Sequence, residues 1–241
     1  MPAIRENGYA QPVGEPVAGW APRPYPPRTA MQGRFCRVEP IDPARHAEEL
    51  FEAYHLAPDG RDWTYLPSEE LPADLPWFRD QLMKYAASND PLHFAVIDAG
   101  TGKAVGTCAY LRIAPDHGVI EIGHIAWSPL LQRRPASTEA MFLMMRRAFD
   151  ELGYRRYEWK CDSLNAPSRR AAERYGFTFE GVFRQALVTK GRNRDTAWFS
   201  IIGCEWPEIR RAFEAWLAPE NFGADGRQRR GLAEIRLAGH G

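Results

Sequence analysis

The chain is poor in the features that mark specialised protein classes. It has only four cysteines in 241 residues, Cys36, Cys108, Cys161 and Cys204, spaced 72, 53 and 43 residues apart, with no C-x-x-C pair and no histidine at zinc-ligand spacing. A disulfide framework and a zinc site are therefore unsupported. No metal is expected, and the thiols are expected to be buried in a reducing compartment. There is no charge excess either, since 31 basic side chains balance 31 acidic ones. Coating nucleic acid or an anionic membrane needs a clustered surplus of Lys and Arg, so no strong nucleic-acid signal is present. No stretch approaches the roughly 18 apolar residues of a membrane span. The first 30 residues also lack the apolar centre of a secretory signal. A cytoplasmic protein without a membrane partner is expected.

What is present is 44% hydrophobic residues, enough for one sizeable core with appendages. Residues 1–32 hold seven of the 20 prolines and no apolar period, which predicts a proline-rich arm, draped on the domain or left mobile. Residues 219–241 scatter Arg227, Arg229, Arg230 and Arg236 among Gly and Ala and read as an Arg-rich tail without a core of its own. The domain proper spans 33–218. It starts with a strand at 34–38, a helix capped by Asp42-Pro43 and running to about Tyr54, and a second helix opened by Asp74. Strands at 92–97, 104–113 and 119–127 form an antiparallel meander. A helix over 136–152, a strand over 154–161, a short helix over 167–175, a hairpin of 177–189 with 196–202 around the loop 190–195, and a helix over 206–217 complete the order. The passage from Val119 to Cys161 is long enough for a crossover, so its two strands should lie parallel. The predicted class is α/β, in the sense of an α+β mixed sheet.

The joint between the strand ending at Trp127 and the helix starting near Ala136 has the ingredients of an anion site. A helix start offers unpaired N–H groups and about half a positive charge. Here Gln132, Arg133, Arg134, Ser137 and Thr138 crowd the same turn. Across residues 130–175, ten Lys or Arg stand against six Asp or Glu, which favours a polyanionic ligand.

Further motifs are the strand Glu121-Ile122-Gly123-His124-Ile125-Ala126-Trp127, the loop beginning Gln132, and Asn165-Ala166-Pro167-Ser168 followed by Arg174-Tyr175-Gly176-Phe177. In order and spacing these resemble the GNAT superfamily of acetyl-CoA-dependent N-acetyltransferases, and within it the ribosomal-protein N-terminal (Rim-type) enzymes. The resemblance covers roughly residues 34–217. It implies a mostly antiparallel sheet with two central parallel strands splayed apart and helices on both faces. It implies acetyl-CoA as co-substrate, its diphosphate on Gln132, Arg133, Arg134, Ala136, Ser137 and Thr138. Its pantetheine arm would lie along the backbone of Ile125, Ala126 and Trp127, and Asn165 would also contact it. Pro135 and Ser137 stand where the family's loop usually has glycines, and Pro135 brings no N–H to the cradle.

The implied reaction joins an acetyl group to a primary amine, on a small molecule or a protein N-terminus. Glu121 and His124 are the candidate bases. They have opposite parity on one strand, so without a bulge at most one can serve. The position where many of these enzymes carry a tyrosine is Ala172, and Tyr175 should face elsewhere on its helix. Rim-type members resemble this chain in having a serine at the Ser168 position, which makes Ser168 the candidate donor to the leaving thiolate. Trp63 and Tyr65, with the 192–195 segment at the far rim, are candidates for the acceptor wall. The alternative is a non-catalytic module that senses acyl-CoA or docks on a ribosome or RNA through its Arg-rich tail. The sequence is silent on oligomeric state, and a homodimer stays open.

Overall fold

A computed structural model describes residues 5–66 and 70–238; the first four residues of the arm and the last three of the tail lie outside them. The arm begins as a hairpin of β1 (Arg5–Glu6) and β2 (Pro12–Val13) and then runs extended across the domain. With few apolar groups to bury, it is held by its backbone carbonyls. Thr29 O and Ala30 O accept from the Arg147 guanidinium at 2.7 and 3.2 Å, and Pro24 O accepts from the Tyr154 hydroxyl at 3.2 Å. The arm ends in β3 (Met31–Gln32), which pairs antiparallel with β4 (Cys36–Pro40). Between them the N–H groups of Arg34, Phe35 and Cys36 all donate to the buried Glu139 carboxylate, at 2.8, 2.6 and 2.8 Å. A Cβ on Gly33 would lie 2.4 Å from that carboxylate, so this turn requires glycine.

Both early helices start where the sequence places them. Asp42 accepts the Ala44 N–H ahead of α1 (Pro43–Tyr54), and Asp74 accepts that of Trp77 ahead of α2 (Leu75–Ala87). They are followed by β5 (Leu92–Asp98), β6 (Ala104–Ala114), β7 (Val119–Trp127), α3 (Pro135–Arg146) and β8 (Arg156–Asp162). Then come α4 (Ala166–Tyr175), β9 (Thr178–Thr189), β10 (Arg192–Ile202), α5 (Trp206–Leu217) and α6 (Leu232–Ala238). The helix expected to run to Leu152 changes at Arg147 into a π turn over Arg147–Glu151, where Arg147 reaches the arm.

Eight strands form one sheet in the order β3-β4-β5-β6-β7-β8-β10-β9, antiparallel throughout except between β7 and β8. One apolar core lies under α1 and α2. The other gathers α3, α4 and α5 on the opposite face. Ala136 to Met145 are all buried, so α3 is a central helix clad on every side. Of the thiols, Cys36, Cys108 and Cys161 are buried, whereas Cys204, expected inside, is exposed.

Two further expectations need correction. The hairpin loop is not 190–195 but the two residues Lys190 and Gly191, with φ of 50° and 70°. Left-handed backbone at both positions matches the twist of a tight hairpin, so 192–195 continue the ladder despite their charge. The segment after residue 218 also packs on the domain instead of trailing from it. Asn221, 8% exposed, donates to Trp216 O and Arg230 O and accepts the Arg230 N–H, folding the segment back. Leu232, the first residue of α6, is buried, and Arg236 donates to the last carbonyls of α4. Few apolar groups suffice because side chains satisfy the turn's backbone.

Candidate active site

The parallel ladder of β7 and β8 runs from Val119–Arg156 to Ile122–Trp159 and stops. Just beyond it, Thr107 of β6 faces Ala126 while Ala109 faces Gly123, so one β6 residue opposes two on β7. This is a β-bulge at His124, whose φ is 47°. The strands diverge there into a cleft of about 1210 Å³. Of the six described non-glycine residues with positive φ, three line it: Arg112, His124 and Arg133. Backbone strain is thus concentrated where ligands would sit.

One end of the cleft is the start of α3. Arg134 occupies the N-cap position without a side-chain cap bond, and Pro135 follows. Both Ser137 N–H and Ser137 Oγ donate to Arg134 O, at 3.1 and 2.7 Å, which tightens this turn. Gln132 donates to Trp127 O at 3.0 Å and to Asp62 at 2.8 Å, fixing the loop to the strand before it and to the segment after α1. Arg133 and Arg134 are exposed at the rim. Thr138 accepts from Arg174 Nη1 at 3.1 Å, which brings a further guanidinium to this end, over Tyr175 and Trp216. Of the expected diphosphate residues, Ala136 alone does not line the cleft: its methyl packs into the core.

The middle of the cleft belongs to β7, β8 and α4. Glu121 and His124 both line it, because the bulge removes the parity objection. Glu121 is buried, with Arg112 Nη1 at 2.7 Å and Lys160 Nζ at 2.8 Å. Burial pushes its carboxyl above the ordinary 4.5, and the two cations oppose that shift. Asn165 caps α4 by accepting the Ser168 N–H at 3.1 Å, and it also faces the cleft. Ser168 Oγ accepts from Trp159 Nε1 at 3.0 Å, which leaves its one proton for donation, with the Cys161 thiol as its neighbour in the protein. Burial raises the neighbouring Cys161 thiol, with the Ser168 hydroxyl acting against it. Tyr175, expected to face elsewhere, lines the cleft as well. The helix lies along the opening, so Ser168, Ala171 and the Arg174–Tyr175 pair share one face at helical spacing.

At the far end, Trp63 packs edge-on against Tyr54 at 5.1 Å, and both line the cleft with Tyr65. Lys190 of the last hairpin donates to Trp63 O at 2.8 Å and pairs with Glu70 at 2.9 Å, closing the wall expected from these two segments. Of the 192–195 segment expected at the far rim, Arg194 lines the cleft; sequence reasoning missed Arg112 and Lys160 as lining residues, and Phe222, Arg227 and Gln228 from the supposed tail. The spacing of 168, 171 and 174 was a usable signal for Arg174; the tail residues carried none. Among the described residues, no group of three or more His, Cys, Asp or Glu could hold a metal, and no helix is long and apolar enough to cross a membrane.

Comparison with known proteins places this geometry. Residues 37–178 match the family described as "Acetyltransferase (GNAT) domain". A GCN5-related N-acetyltransferase from Brucella melitensis is 53% identical, with a TM-score of 0.90 over 92% of this chain and 100% of that one. A probable GNAT-family acetyltransferase from Chromobacterium violaceum is 41% identical, with a TM-score of 0.74 over 82% of this chain and 98% of that one. An uncharacterized N-acetyltransferase, p20, from Bacillus licheniformis is 30% identical over 113 residues. That match takes in 47% of this chain and 63% of p20, less than two thirds of its length. With a splayed parallel pair, a helix start facing the gap and relatives named acetyltransferase at both levels of comparison, the chain belongs to the GNAT family of acetyltransferases.

Proposed function

We propose that the chain transfers acetyl from acetyl-CoA to a primary amine by direct attack through a tetrahedral intermediate, in the manner of the Rim-type members it resembles. The observation that carries this reading is the cleft where β7 and β8 part, open at one end to the start of α3. The N–H groups there, with Arg133, Arg134 and Arg174, supply the positive field that a diphosphate needs. On its β8 side, the backbone of β7 beyond Ile122 has no strand partner among the described residues and offers an extended arm a place to pair.

Acetyl-CoA supplies an activated thioester, and the protein's task is alignment and proton management. Freeing an α-amine with a pKa near 8 costs about 1 kcal/mol at pH 7, against about 4–5 kcal/mol for a lysine side chain. A single carboxylate is base enough for an α-amine. Glu121 takes that role: it is buried, faces the cleft, and is kept ionisable by Arg112 and Lys160. Expelling a thiol with a pKa near 8.5 as thiolate costs about 2 kcal/mol, within reach of one hydroxyl donor. Ser168 supplies it, oriented by the Trp159 indole.

Incubation with acetyl-CoA and a panel of amines, following free thiol, tests the reading. Amine-dependent release is expected. Tight acetyl-CoA binding without turnover on any amine would leave a sensor rather than an enzyme.

A further inference from the structure

The next step rests on the acetyl-transfer reading and concerns its second substrate. Arg194 lies on β10 opposite Leu187, just past the point where Thr196 meets Asp162, the last residue of β8. Its side chain therefore emerges where β8 has ended, and it lines the cleft. Arg194 is only 7% exposed, yet its Nε and Nη1 have no hydrogen-bond partner. Thr196 Oγ1, on the same strand and lining the same cleft, is also buried without one.

A buried guanidinium cannot shed its charge, and burying it unpaired is costly. The nearby acids offset that burial only in part and do not pair with Arg194. Glu121 is held by Arg112 and Lys160, and Asp162 Oδ1 accepts the Leu164 N–H. Burial lowers the Arg194 pKa, and neither acid restores it. An anion brought by a ligand would complete the site. The diphosphate has its own donors at the start of α3, whereas Arg194 belongs to the hairpin that closes the acceptor wall.

We propose that the acceptor is a primary amine carrying a carboxylate close to it, and that Arg194 holds that carboxylate with the Thr196 hydroxyl as a second donor. The carboxylate has two sources, the α-carboxylate of a free amino acid or an acidic side chain at a peptide N-terminus.

Two ligand series separate these sources: L-leucine, L-leucinamide and 3-methylbutylamine for the first, and Asp-initiated against Asn-initiated tripeptide amides for the second. Each is measured by kcat/KM with acetyl-CoA and by thermal shift in the presence of CoA. In one series the carboxylate form should exceed its neutral partner by about 30-fold or more, the size expected for a buried charge pair. In Arg194→Gln that ratio should collapse towards one. Ligand-free Arg194→Met should melt at the same temperature as the wild type or higher, because an unpaired buried charge is gone.

A ratio below about threefold in both series, a ratio that survives Arg194→Gln, or a ligand-free Arg194→Met that melts several degrees lower would each overturn the assignment. Turnover without carboxylate preference removes this inference alone. A carboxylate-dependent thermal shift without turnover removes the acetyl-transfer reading and keeps Arg194.

Discussion

At the scale of single residues, the cleft contains groups whose state is set by burial. The carboxyl of Glu121 has its folded-state pKa raised above 4.5. Its protonation therefore favours folding below the unfolded value, and that contribution fades as pH rises through the raised folded one. The same shift has a kinetic signature. Attack requires both a neutral amine and an ionised Glu121, so log kcat/KM should rise with slope two at the acid end. The slope should fall to one above the Glu121 pKa and level off above that of the amine. Glu121→Gln should lower the rate above the Glu121 pKa and leave a single slope of one up to the amine pKa; a retained slope of two would assign the lower limb to another group. Ser168→Ala should reduce kcat about 100-fold, the lower end of the range for a positioned proton donor, with little change in acetyl-CoA affinity. An equal loss in both by stopped-flow and calorimetry would make Ser168 a binding residue.

At the scale of elements, the start of α3 combines a proline that donates no N–H with arginines that supply charge from the side. Replacing Arg133 and Arg134 together by Ala should raise the acetyl-CoA Kd about tenfold, more at low salt than at high, since both are exposed and screened by ions. Unchanged calorimetric affinity would exclude them from the diphosphate site. Elements bounded by local chemistry were legible in the sequence: the caps at Asp42 and Asp74, the meander, and the parallel pair implied by a long crossover. What local chemistry did not announce was missed. The bulge puts His124, not the neighbouring strand glycine Gly123, into left-handed backbone, and charged residues after Gly191 disguised a two-residue turn. Candidate residues on α4 and β7 were found because motif and period agree there. Arg194 was expected only at the far rim of the acceptor wall because its burial depends on the register of β10 with β8.

At the scale of the whole molecule, both ends of the chain are fastened by polar contacts that no apolar period reveals. This is why the arm and the tail were hard to read. Asn221 is the clearest case, satisfying one backbone group of α5 and two of the returning segment that carries Phe222 and Arg227 to the cleft. Asn221→Ala should cost about 1–3 kcal/mol by leaving those groups unpaired. The melting temperature should then fall by about 2–4 °C per kcal/mol. Acetyl-CoA affinity should drop with it. Full stability with full affinity would show that the segment is not part of the binding surface.

The short parallel ladder has a mechanical consequence. Five strands lie on one side of it and three on the other, and the rungs from Val119–Arg156 to Ile122–Trp159 are all that stitch these two plates together within the sheet. The plates can rock about so brief a seam without tearing either one, and a slender molecule laid in the gap becomes a strut that stiffens both.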